Sequence, residues 1–70
     1  MINEQLYMSS RIFRMFCEQY HMDARSANSL FNEYDVWNYI ESAYGMLHLN
    51  GDESALSDIR DVMMARGANI

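Results

Sequence analysis

The sequence predicts an all-α fold, a compact irregular bundle of about four short helices. Three observations carry this expectation. The 70 residues include no proline and only three glycines, so little in the chain breaks a helix. Apolar residues recur at three- and four-residue spacing rather than alternating. Asp23, Asp35 and Asp52 stand just before apolar runs, where a side-chain oxygen caps a helix N-terminus. A chain of 70 residues makes a single helical domain, residues 1–70, with a thin core.

The first helix is expected over about residues 4–20. Asn3 is its N-cap and Glu4 suits the dipole in the first turn. Leu6, Phe13, Phe16 and Tyr20 form the apolar line, which Ile2 extends backward and Met8, Ile12 and Met15 widen. Cys17 stands at the edge of this stripe and reads as a buried, inert thiol. His21-Met22-Asp23 interrupts the pattern, with His21 at the helix end. A second helix is expected over 24–34, with Ala27, Leu30, Phe31 and Tyr34 on one narrow face. Asp35 caps a third, over 36–44. This third segment is apolar almost all round, so it is central or covered by a partner. Trp37 and Tyr44 are expected on one of its faces, and Val36, Ile40 and Ala43 on another.

Tyr44 to Ile59 reads as a hinge before the last helix. The helix ends at Tyr44-Gly45, Met46-Leu47 plugs the core, and His48 pins the turn. Gly51 makes the turn at positive φ, and Asp52 caps the final helix, over about 53–66. Asn50-Gly51 also suits a β-hairpin, but the residues after it keep helical order. Leu56, Ile59 and Met63 form the inner line of the last helix. Arg66 suits its C-terminal dipole, Gly67 stops it, and Ala68 to Ile70 are expected to fray.

The charge is lopsided: five arginines, no lysine, ten carboxylates and a formal net charge of −5. No cation falls between Arg25 and Arg60. Such a block repels phosphate backbones, so no nucleic-acid partner is expected. A helix-turn-helix built from the second and third helices would offer Asn38 and Glu41 to DNA without any Arg or Lys. No stretch approaches the ~20 apolar residues of a membrane span, so no membrane partner is expected. The beginning of the chain lacks the basic flank and apolar run of a signal peptide, and the expected location is the cytoplasm. One cysteine allows no internal disulfide, and no Cys/His cluster suggests zinc. The spacing of Asn50-Gly51-Asp52-Glu53 does not match a calcium loop. No cofactor, metal or catalytic residue is therefore assigned. His48 is read as structural, bonding a carbonyl or a carboxylate such as Asp58, rather than as a general base.

With the helices placed, Leu47-His48-x-x-Gly51-x-Glu53-x-x-x-x-Asp58-Ile59 resembles a family of very short bacterial proteins of unknown function. Phe16-Cys17-Glu18-Gln19-Tyr20, Phe31 with Tyr34, Tyr39-Ile40 and Tyr44 fit the order of its upstream segments. The likeness covers about residues 12–63. It implies an all-helical domain, often encoded beside a larger protein resembling an ADP-ribosyltransferase, and so an antitoxin-like or accessory partner. The chain departs from that family in lacking lysines on its second helix.

Together these residues lead to the expectation of a non-enzymatic, acidic protein–protein interaction module, and the resemblance implies that its partner is a bacterial toxin or enzyme. Trp37 and Tyr44, with Glu33, Glu41, Asp58 and Asp61, are its expected contact residues, since aromatic side chains are enriched at interfaces. His48, Gly51 and Asp52 are its structural turn. A phage-type inhibitor that mimics nucleic acid, and a self-assembling homo-oligomer, are the alternatives.

Overall fold

The computed structural model describes residues 4–70, apart from the side chain of Gln5. The expected roles of Ile2 and Asn3 lie outside the described residues. Among these residues the chain forms five helices and no strand: α1 (Glu4–Tyr20), α2 (Ala24–Glu33), α3 (Val36–Ser42), α4 (Tyr44–Asn50) and α5 (Asp52–Ala65). The expected all-α class holds, with one helix more than the sequence suggested.

The core side of α1 is the row Met8, Ile12 and Phe16, all almost wholly buried. Their four-residue spacing places them one above another on one face. Of the line first expected to lead, Phe16 belongs to this buried row, while Leu6, Phe13 and Tyr20 lie at its edge. Phe13 there is covered by the rings of Phe31 and Trp37, both with centroids 5.2 Å away. Leu6 stays 65% exposed. Helix α1 ends in a reverse turn. Met22 N–H donates to the Cys17 carbonyl at 3.0 Å, and His21 takes the left-handed conformation at φ 53°. Met22 and the half-buried Cys17 then pack against the core.

Asp23 caps α2 as expected: its carboxylate accepts the Ser26 N–H at 2.7 Å. That hydrogen bond holds the Asp23 carboxyl below the usual range. Ala27 and Phe31 are fully buried on the inner face. Asp35 then serves two helices at once. It stands at the α2 C-terminus and the α3 N-terminus with φ 55°, ψ 40°. A side-chain cap normally uses an extended backbone at that position, and the expected capping hydrogen bond is absent. The carboxylate instead accepts from Asn38 Nδ2 at 2.8 Å.

Helix α3 stops at Ser42, two residues before the expected end. The break is at Ala43, whose dihedrals of −98° and 12° depart from the helical values, and not at Gly45. Gly45 lies in the first turn of α4. Only Leu47 of α4 is buried; Met46, paired with it as a plug, is 49% exposed.

Gly51, not Asp52, occupies the N-cap of α5, at φ 87° and ψ 166°. Asp52 has moved into the first turn. Ala55, Leu56, Ile59 and Met63 of α5 close the core. Its end is a second reverse turn, with Ala68 N–H to the Met63 carbonyl at 2.9 Å and Gly67 at φ 103°. Ala68 is buried and Ile70 packs on the core, so the expected fraying gives way to a docked terminus. The guanidinium of Arg66 serves a different helix from the one expected. It donates to the carbonyls of Tyr34 and Asp35, at the C-terminus of α2, and lies 5.8 Å over the Tyr39 ring. The Tyr39 hydroxyl donates to Asp58, and burial followed by that hydrogen bond pushes its pKa up to about 12. These contacts fasten α5 to the α2–α3 junction.

Candidate functional site

The break at Ala43 has a consequence for the surface. It turns α4 so that Tyr44 and His48, one helical turn apart, face Glu4, Tyr7, Met8 and Arg11 of α1. Between the two helices lies a groove of about 350 Å³. Buried Met8 supplies apolar surface along it, and aromatic rings supply its walls.

Arg11, on the groove lining, is held by a fork of hydrogen bonds. Arg11 donates through Nε and Nη2 to the two carboxylate oxygens of Asp52, at 2.6 and 2.9 Å. This bidentate geometry is the strong form of the pair. Each group holds the other charged. The hydrogen bond to Asp52 raises the Arg11 pKa, and the hydrogen bond from Arg11 lowers that of Asp52. Above the ordinary aspartate value of 3.8 the pair contributes its full stability, and the contribution is lost as pH falls through the lower folded value. Solvent reaches both side chains, which are 40% and 34% exposed. Asp52→Asn should therefore cost only about 0.5–1 kcal/mol at neutral pH. It should also flatten the urea midpoint against pH over roughly pH 2 to 5, which urea titrations across that range will check.

The guanidinium of Arg11 also lies 5.3 Å over the Tyr7 ring. Across the groove, Tyr44 stacks on His48 at 5.3 Å and 14°. The Tyr44 hydroxyl points to Glu4 Oε2 at 3.4 Å. Burial first, then the Glu4 charge, raises the pKa of that hydroxyl, which keeps it a donor.

The residues singled out from sequence are divided among several places. Tyr44 and His48 are in the groove. Trp37 is not beside Tyr44 on a shared face, because the helix that would have joined them is broken at Ala43. Its half-buried ring packs on Phe13 and Phe31, and Nε1 donates to Asn28 Oδ1 at 3.2 Å. Trp37 and Cys17 border a second hollow, of about 410 Å³, on the neighbouring flank of α1. Glu33, Glu41 and Asp61 are exposed on α2, α3 and α5. Asp58 meets Tyr39 and not His48. His48 is exposed and stacked, rather than pinning the turn through a carboxylate. Asp52 belongs to the ion pair rather than to a cap. Among the described residues no group of three or more His, Cys, Asp or Glu side chains could hold a metal ion. No described helix is long and apolar enough to cross a membrane.

Glu4, Tyr7 and Arg11 were not recognised as a set from sequence. Their signal was spacing, since residues at i, i+3 and i+7 share a helix face. An exposed tyrosine flanked by opposite charges on that face differs from the apolar row that dominates the periodicity.

Fold and surface thus define a small helical domain with an aromatic groove. Residues 9–66 match the family described as Protein of unknown function (DUF3791), and the chain belongs to that family. No curated protein and no solved structure matches it. The matched span includes Arg11, Tyr44, His48 and Asp52 and begins after Glu4, Tyr7 and Met8.

Proposed function

We propose that this chain is a protein-binding module, an antitoxin-like or accessory partner that docks on a larger bacterial toxin or enzyme. Its docking surface is the α1–α4 groove with the outward side of α4. The observation that supports this is the composition of α4. In seven residues it buries only Leu47 and leaves Leu49 83% and Met46 49% exposed, beside the Tyr44–His48 stack. Tyr7 across the groove is 61% exposed. Covering an apolar side chain of this size is worth about 1.5–3 kcal/mol, so a partner that buries Leu49 and Tyr7 gains a credible anchor. The nucleic-acid-mimic alternative draws less support, because Asp52 and Asp58 are already engaged by Arg11 and Tyr39.

The test is affinity capture from the bacterial host with the native chain and two variants. Tyr7→Ser with Leu49→Asp should reduce the co-purifying protein at least tenfold. Glu33→Gln with Asp61→Asn, away from the groove, should leave it unchanged. Equal recovery by both variants, or recovery of nucleic acid instead of protein, contradicts the reading.

A further inference from the structure

We propose that the α1–α4 groove receives an arginine side chain from a basic segment of the docked protein. This rests on the docking function above and names the chemistry that the groove selects. Four observations carry it. Arg11 places its guanidinium 5.3 Å over the Tyr7 ring, so this surface already holds a guanidinium against an aromatic face. The Tyr44–His48 stack offers a second aromatic wall opposite, and aromatic faces attract cations. The charge of Arg11 is matched by Asp52 through two short hydrogen bonds. The groove's remaining charge is then the carboxylate of Glu4, whose contact with the Tyr44 hydroxyl is long, at 3.4 Å.

An incoming guanidinium can stack between the aromatic walls and donate to Glu4, which suits its planar fork. An anionic ligand fits worse. It would meet Glu4, and the Nε and Nη2 donors of Arg11 are already committed to Asp52. The chain's net charge of −5 draws a basic segment toward the groove and opposes a second copy of the same chain.

The experiment is an NMR titration of the full chain with a short helical peptide carrying a leucine stripe flanked by arginines. The same peptide with citrulline at every arginine is the control. The arginine peptide should shift resonances of Tyr7, Tyr44 and His48. Citrulline substitution, and separately Glu4→Gln, should each weaken binding about tenfold. Glu33→Gln should leave it unchanged. Equal binding of the two peptides, or equal effects of Glu4→Gln and Glu33→Gln, overturns the proposal. So does a dimer of the free chain that Glu4→Gln dissociates, which would make a second copy the occupant. If the arginine dependence fails while Tyr7→Ser with Leu49→Asp still abolishes capture, docking stands and only the arginine assignment falls. If that capture difference is absent, the docking function itself falls.

Discussion

Phe31→Ala is expected to remove about half of the protein's stability. Phe31 is fully buried and meets three aromatic rings: Phe13 at 5.2 Å, Phe16 at 5.1 Å and Trp37 at 4.9 Å. Truncation removes the transfer free energy of the ring and leaves a cavity that α1, α2 and α3 share. The usual cost of such a change is about 3–5 kcal/mol. A domain of this length has only about 4–10 kcal/mol to lose. Urea titration followed by circular dichroism should show the midpoint fall by about half. Leu49→Ala, on the outside of α4, should stay within about 0.5 kcal/mol of the native chain. Similar losses from both would mean that Phe31 is not at the centre of the core.

Gly51→Ala should destabilise the protein by about 1–3 kcal/mol. The reason is backbone conformation and not crowding. A Cβ at residue 51 meets nothing within 4 Å, but φ 87° with ψ 166° is a region that L side chains rarely adopt. Gly45→Ala provides the contrast. Gly45 also has open space around it, and it lies within α4 without positive φ. Alanine there should stabilise by about 0.5–1 kcal/mol. Thermal melts of both variants decide the matter. An unchanged melting temperature for Gly51→Ala would refute the conformation on which the entry into α5 depends.

The two glycines also show where the sequence was legible. Positive φ at Gly51 follows from Asn-Gly chemistry and was expected. The Asp23 cap and the buried faces of α2 and α5 were equally clear, because local hydrogen bonding and helical periodicity specify them directly. Gly45 misled in the opposite direction. A glycine near a change of pattern suggests a helix end, yet the first turn of a helix tolerates it and the chain breaks at Ala43. No residue type marks Ala43 as special; its dihedrals are set by how α3 and α4 pack. That one break moved Tyr44 off the face of Trp37 and created the groove. The ion pair between Arg11 and Asp52 spans 41 residues, so no local pattern could have announced it. An N-cap role for Asp52 was the natural local reading, and a distant arginine displaced it. In α1 the apolar stripe was wide enough to fit two rows that share Phe16, and only the placement of the other helices chose Met8 and Ile12 over Leu6 and Phe13.

Under the proposed function, the α1–α4 face is where this protein meets its partner. Site-specific photo-crosslinking in the native host tests this, with a benzoylphenylalanine placed in turn at Tyr7, Met46, Leu49, Glu33 and Asn28. Crosslinks to one and the same protein are expected from Tyr7, Met46 and Leu49, and none from Glu33 or Asn28. Crosslinks concentrated at Glu33 and Asn28, with the α1–α4 positions silent, would contradict it.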